Sequence, residues 1–275
     1  MAGARDIWAL LTPGMDGCNH ACHPLVMQER HGTLGTWPLA YRQQDGAGPG
    51  VIFLGGFHSD MTGSKAEHLA GWCSSRGRAF LRFDYSGHGS SGGEFDEGTI
   101  GQWLADAELV LTSLTSGPQI LVGSSMGGWI ALLLALRYPE RIAGLIGIAA
   151  APDFTEDLMW AKFPPEIRQQ IKSNGMWHRP SEYGDPYPIT RRLIEDGRHH
   201  LVLRGPIRLD MPIRLLHGQA DLDVPWELSL RIAETVTSQD VTVTLVKDGD
   251  HRLSTSDNLA LLGRSLGALL GENAG

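Results

Sequence analysis

The sequence predicts an α/β protein: a mostly parallel central sheet flanked by helices, with a small cap insertion. Three observations carry this. Short continuous apolar runs alternate with longer segments whose apolar residues recur at spacings of three and four. The apolar runs lack a polar alternate, as strands buried on both faces do. One proline-rich stretch, from Pro152 to Pro206, breaks the alternation between two strands that a short crossover would otherwise join.

Taken in order, residues 1–28 have neither a helical nor a strand period and read as an irregular N-terminal arm. The first extended segment is Thr33–Tyr41, closed by the turn-rich run from Gln44 to Gly50. Strands are then expected at Val51–Leu54, Ala79–Tyr85, Gln119–Val122, Gly144–Ala149, Ile213–His217 and Val241–Val246. Helices are expected at Ser64–Ser75, Ile100–Leu114, Ser125–Tyr138, Trp226–Thr235 and Ser256–Leu270. Residues 29–275 thus form one catalytic domain, with residues 152–206, which hold prolines at 152, 164, 165, 180, 186 and 188, inserted as a cap over the strand ends.

Composition narrows the function. With 42% apolar and 20% charged residues the chain is globular and has a core to bury. A net charge of −8 and the absence of a Lys/Arg run exclude nucleic acid as a partner class. The longest apolar stretches, Trp129–Leu136 and Ile142–Ala151, are too short to cross a bilayer, so no membrane segment is expected. The N-terminus, with Asp6 and no small-residue cleavage site, does not read as a signal peptide, and three cysteines (Cys18, Cys22, Cys73) make no disulfide framework. A cytoplasmic protein with free thiols is expected, working as a monomer or small homo-oligomer.

The chemistry is concentrated after the strand at Gln119. Gly123-Ser124-Ser125-Met126-Gly127 is a Gly-x-Ser-x-Gly motif between a strand and a helix. The small flanking residues permit a sharp turn that lifts the Ser125 hydroxyl above the sheet as a nucleophile. A bare motif of this kind is common; the strand before it and the helix after it are what give it meaning. A serine hydroxyl needs a base, and of eleven histidines His251 lies in the loop after the last strand. The acid belongs after Ile213–His217, where Asp221 is the first choice and Asp223 the alternative. His217 at the strand end, His88 in the loop Asp84–Gly92, and His199 and His200 in the cap read as structural. Two backbone N–H donors should face the developing oxyanion: Met126, next to the nucleophile, and Phe57, in the glycine-rich loop after Val51–Leu54. Within the cap, Met159, Trp160, Phe163, Met176, Trp177, Tyr183 and Tyr187 form an apolar set, of which Trp160, Phe163, Trp177 and Tyr183 are candidate substrate contacts. Cys18-Asn19-His20-Ala21-Cys22-His23 lacks a second ligand pair at finger-like spacing, so no metal is expected, and no organic cofactor is needed.

These residues resemble the α/β-hydrolase-domain serine hydrolases, in particular the subfamily of mammalian mitochondrial S-depalmitoylases that also cleave acyl glucuronides. The resemblance runs from about Gly32 to the C-terminus. It rests on Phe80-Leu81-Arg82-Phe83-Asp84-Tyr85-Ser86-Gly87, Gly123–Trp129, Arg214–Gly218, Val224-Pro225-Trp226 and Asp250-His251-Arg252, with Gly175-Met176-Trp177, Ser181-Glu182-Tyr183 and His199-His200 in the cap. It implies an α/β-hydrolase fold, the triad Ser125, Asp221 and His251, and a small-molecule ester or acyl-thioester substrate, including S-acylated protein. The arm has no arginine-rich targeting segment, so the mitochondrial address is not carried over. A small-ester carboxylesterase would share every catalytic residue, and a C–C hydrolase or acyltransferase would share the triad, because the triad fixes the nucleophile and not the leaving group. A non-enzymatic binding protein would have lost part of it, and dehalogenase or epoxide-hydrolase chemistry would want a carboxylate where Ser125 stands.

Overall fold

The computed structural model describes residues 28–34, 37–180 and 186–272. The N-terminal arm up to Met27, with Cys18 and Cys22, and the cap residue Tyr183 lie outside the described residues. The chain opens with strands β1 (Gln28–Leu34), β2 (Trp37–Gln44) and β3 (Ala47–Leu54). Alternating units follow: α1 (Ser64–Ser75), β4 (Arg78–Phe83), α2 (Ile100–Leu114), β5 (Gln119–Ser124), α3 (Met126–Arg137) and β6 (Ile142–Ile148). Next come α4 (Pro165–Asn174), β7 (Met176–Arg179), β8 (Tyr187–Thr190) and α5 (Arg191–Gly197). The chain finishes with β9 (Ile213–Gly218), α6 (Glu227–Thr235), β10 (Val241–Val246) and α7 (Ser256–Leu269).

One sheet has the order β1-β2-β4-β3-β5-β6-β9-β10. From β4 to β10 neighbouring strands run parallel, while β2 is antiparallel to both β1 and β4. The parallel strands need crossovers, and the helices that provide them cover both faces. On one face α2 and α3 bury Trp103, Leu104, Trp129 and Ile130 against Leu54, Leu81 and Leu121. On the other, α1 and α7 bury Leu69, Cys73, Leu262 and Leu266 against Val51, Phe53, Val122 and Ile146. Helix α3 is buried from Met126 through Ala135, which is why its sequence is apolar on every side. Among the described residues no helix is long and apolar enough to cross a membrane.

Two expectations are corrected. The single extended segment Thr33–Tyr41 is two strands, with Leu34 opposite Trp37 in the antiparallel pairing. The turn expected over Gln44–Gly50 contracts to Asp45 and Gly46, because β2 continues through Gln44 and β3 begins at Ala47. Strand β2 in turn pairs antiparallel with β4, far along the chain, with Tyr41 opposite Phe83 and Gln44 opposite Phe80. Helices α1 and α2 coincide with the predicted spans. Thr99, Thr190 and Thr255 cap α2, α5 and α7 with side-chain oxygens that accept N–H groups three residues on.

Between β6 and β9 the prolines accompany structure rather than mark its absence: Pro165 begins a helix and Pro188 lies within a strand. Pro165 occupies the first turn of α4, where its missing N–H costs nothing. A π-helical turn, Thr155–Trp160, precedes α4, and the antiparallel pair β7–β8 follows it. This segment is tied to the body by a bond from α3 and closed on itself by a buried carboxylate. The Trp129 indole N–H donates to the His200 carbonyl at 3.0 Å. The fully buried Asp153 carboxylate accepts N–H bonds from Val202 (2.8 Å) and Leu203 (3.0 Å). Burial pushes the Asp153 carboxyl upward from its ordinary range, and those two N–H groups and Arg204 work against it. Replacing Asp153 by Ala strands both donors, and we expect urea unfolding to show a loss of about 3 kcal/mol; a loss below about 0.5 kcal/mol, the usual scale of a neutral surface change, would mean that this staple does not join the two ends of the segment.

Candidate active site

Ser125 stands between β5 and α3 with φ 54° and ψ −118°, a left-handed conformation that a side-chain-bearing residue adopts only under constraint. The constraint is visible. Its N–H donates to the Ile148 carbonyl at 2.9 Å, and its carbonyl accepts from Gly128 (2.9 Å) and Ala151 (3.1 Å). A β-carbon on Gly127 would overlap the Leu54 carbonyl oxygen, and one on Gly123 would overlap the Gly127 carbonyl. The two glycines of the motif are therefore needed for backbone to pass backbone, as the sequence predicts.

The loops after β9 and β10 bring the other two residues to this turn. His251 Nε2 lies 3.1 Å from Ser125 Oγ, and its Nδ1 lies 2.7 Å from Asp221 Oδ2. Of the two carboxylates left open by the sequence, Asp221 meets the imidazole and has a fully buried side chain; Asp223 is exposed. Asp221 Oδ1 accepts the N–H groups of Asp223 and Val224, each at 2.9 Å. Burial works against its charge, but the bonds from His217 and His251, the Val224 N–H and the nearby His251 ring outweigh it and hold the carboxyl far below the ordinary carboxylate range. His217, read from the sequence as structural, is buried and also reaches Asp221 Oδ2, at 3.2 Å. The two loops are joined by Ala220 N–H to Gly249 O, at 2.9 Å. An oxygen or nitrogen of Asp221, Asp223 and His251 each lies within 4.8 Å of the others, and the hydrogen bonding of Asp221 accounts for this grouping without a metal.

Met126 is the first residue of α3, so its N–H has no partner within the helix. The Gly55-Gly56-Phe57 loop abuts the nucleophile: a β-carbon on Gly56 would sit 3.4 Å from Ser125 Cβ. The Phe57 ring is gripped by Phe95 (centroids 5.0 Å apart), Phe154 (5.6 Å), Trp103 (5.8 Å) and Tyr187 (5.8 Å). Next to it, His58 has φ 56° and donates its backbone N–H to His88 Nε2 at 3.3 Å. His88 Nδ1 faces the Ser86 carbonyl at 3.2 Å and must carry the proton, leaving Nε2 as acceptor. Burial, opposed by the Ser86 bond and aided by His58, pushes the His88 imidazole down to about 4. His88 is thus a neutral prop under the loop that follows Phe57.

The candidate substrate contacts of the cap are not gathered in one place. Trp160 lies among Arg198 (5.1 Å), Lys172 (5.7 Å) and Arg168 (5.9 Å), a cationic surround. Phe163 and Trp177 pack edge to face on each other at 5.3 Å. Two residues of segment 152–206 reach the site: Phe154, which touches Phe57, and Tyr187, which stacks on His58 at 5.4 Å as well as touching Phe57. Beside these rings, a cleft of about 550 Å³ opens between Glu94, Asp96 and Glu97 on one side and Met176, Arg191 and Arg192 on the other, without including Ser125. The roles of Phe95 and Phe154 had no local signal, since each meets Phe57 through contacts remote in sequence.

A parallel sheet with a strained serine between strand and helix, met by a histidine and an acid from the two last strand ends, defines the α/β-hydrolases. The family model described as serine aminopeptidase, S33, matches residues 49–192, and the chain belongs to the α/β-hydrolase family of hydrolytic enzymes. It is 42% identical over 226 residues to the Homo sapiens protein "Palmitoyl-protein thioesterase ABHD10, mitochondrial", covering 82% of this chain and 74% of that one. The Mus musculus protein of the same description is 44% identical over 226 residues, covering 82% and 76%. Among solved structures, mouse alpha/beta hydrolase domain-containing protein 10 superposes with a TM-score of 0.82 and 39% identity, covering 90% of this chain and 100% of that chain. A putative hydrolase from Agrobacterium vitis S4 superposes at 0.84 with 40% identity, covering 90% and 99%.

The depressed His88 imidazole has a consequence for stability. Between about pH 6.5, the unfolded value, and about 4 the unfolded chain takes up a proton at this residue that the folded one refuses, so stability falls as pH falls through that window. We expect denaturation midpoints recorded from pH 7 to 4 to drop less steeply in His88→Gln than in the parent protein; parallel curves would mean that His88 is not the group responsible.

Proposed function

We propose that this protein is a serine hydrolase that cleaves acyl thioesters, S-acylated proteins included, through an acyl-Ser125 intermediate. The observation that carries the reading is the continuous hydrogen-bond chain Ser125 Oγ, His251, Asp221. Ser125 Oγ attacks the carbonyl carbon while His251 Nε2 takes its proton. Asp221, buried and charged, holds the Nδ1–H tautomer of His251 and stabilises the imidazolium without taking the proton itself. The N–H groups of Met126 and Phe57 receive the negative oxygen of the tetrahedral intermediate, and the left-handed turn at Ser125 and the aromatic grip on Phe57 keep both donors in place beforehand. Collapse expels the thiolate, which takes the proton from His251. Water then attacks the acyl-enzyme with the same base, releasing the acid and restoring Ser125.

The thioester preference is supported by the description of the relatives that share 42–44% identity over most of the chain. Residues 152–206 serve as the cap, with Tyr187 as its contact to the oxyanion loop and Phe163 and Trp177 as an apolar wall toward the acyl chain. We place the working enzyme in the cytoplasm, with Cys73 a buried free thiol whose burial, aided by Glu272 and opposed by Arg76 and Arg78, pushes it up to about 12 and keeps it unreactive.

The test is hydrolysis of p-nitrophenyl esters and fatty-acyl thioesters of graded chain length by the parent and by Ser125→Ala. We expect kcat in Ser125→Ala to fall by about 10⁴-fold or more, together with loss of fluorophosphonate labelling. A preference for long thioesters supports the reading; a preference for short oxygen esters replaces it with a carboxylesterase. Separately, Asp221→Asn is expected to lower kcat by about 10³- to 10⁴-fold with KM little changed, whereas Asp223→Asn stays within about threefold; a reversed ranking would move the acid to Asp223.

A further inference from the structure

Asp221 Oδ2 accepts two imidazole N–H groups. One belongs to His251 at 2.7 Å, the other to His217 at 3.2 Å. His217 has no exposed surface, and its surroundings determine its tautomer. Nε2 faces two acceptors, Asp221 Oδ2 and the Val224 carbonyl at 3.1 Å, so it must carry the proton. Nδ1 faces the buried Ser229 hydroxyl of α6 at 2.7 Å, so Ser229 donates to it. The chain Ser229 Oγ–H to His217, then His217 Nε2–H to Asp221, joins helix α6 and strand β9 to the one oxygen that His251 uses.

We propose that His217, oriented by Ser229, is a positioning residue that fixes Asp221 Oδ2 toward His251 and draws negative charge off that oxygen. The proposal rests on the reading of Ser125, His251 and Asp221 as the working triad. Physically, a second donor on Oδ2 removes the freedom of the carboxylate to rotate and weakens it as an acceptor. A weaker acceptor stabilises the His251 imidazolium less. The other charged groups near this set are few. Asp223 lies within 4.8 Å of the Asp221 and His251 polar atoms but is exposed, where solvent screens it. On the His251 loop, Lys65 from α1 donates to the Arg252 carbonyl at 2.5 Å, beside Asp250 and Arg252. None of these touches Oδ2, which leaves His217 as the group that adjusts it.

Three variants and two readouts test this. In His217→Leu we expect kcat to fall about tenfold with KM within twofold, and the acid limb of the kcat/KM profile to move to higher pH by about half a unit, less than the full worth of a hydrogen bond to a charged group because His251 feels the loss only through Oδ2. His217→Gln, whose amide N–H reaches the same oxygen, should restore most of both. Ser229→Ala, a smaller change that preserves folding if His217→Leu does not, should move the limb in the same direction by less. The second readout is the low-field proton of His251 Nδ1–H in NMR spectra of the resting protein. It should shift further downfield in His217→Leu and Ser229→Ala, because Oδ2 becomes the stronger acceptor, and return toward the parent position in His217→Gln. An unmoved acid limb with activity lost only in proportion to unfolded protein, or an unmoved His251 resonance, overturns the proposal. The NMR readout needs no turnover, so it decides the His217 bond even if Ser125→Ala proves as active as the parent and the triad reading itself fails.

Discussion

The close passage of backbone at the β5–α3 turn is the constraint on which the site depends. A left-handed φ at a serine costs about 1–3 kcal/mol and persists only where the surroundings over-determine it. Here the Ile148 carbonyl, the Gly128 and Ala151 N–H groups, and the contact of Gly127 with the end of β3 supply that determination. Three adjacent parallel strands, β3, β5 and β6, are thus clamped at one point. The same clamp presents Ser125 Oγ to His251, leaves the first N–H of α3 facing outward and brings the Gly56 loop against the serine. Packing produces the strain, and the strain produces the geometry that acyl transfer needs.

Around that point the polar groups are supported in pairs. Each oxygen of Asp221 has two donors, and His251 bridges from it to the nucleophile. The Phe57 loop is held by rings on one side and by neutral His88 on the other. Tyr187 extends this aromatic cluster into the segment between β6 and β9, so the Phe57 loop and that segment share one packed unit. Trp129 fastens the far end of that segment to the body, and Asp153 joins the segment's two ends. A change of cap packing is therefore transmitted to Phe57 through ring contacts rather than through the triad.

Much of the fold and the core of the site were legible in the amino-acid order. Helices α1 and α2 and strand β10 match their predicted spans because apolar periodicity and end signals are local. The turn at Ser125 was legible for the same reason: small residues are needed within two positions of it. The β1–β2 pairing was not, and the pairing of β2 with β4 joins residues far apart in the chain. Nor were α4 and the β7–β8 pair, where prolines accompany structure instead of ending it. The cap aromatics were identifiable by type but not by destination: Trp160 went to the arginines and Tyr187 to the Phe57 loop.

By itself the sequence determined the class of fold and singled out, in chain order, Ser125, then Asp221 or Asp223, then His251 as the candidates for one site. Tertiary structure decided which of Asp221 and Asp223 meets His251, and that His217 and Ser229 join them. Those choices depend on sheet order and register, which bring residues separated by 126 and 30 positions to within a hydrogen bond of one another. Local propensity carries information over a few residues only. The meeting of three strand ends is an outcome of how the whole sheet buries its two faces.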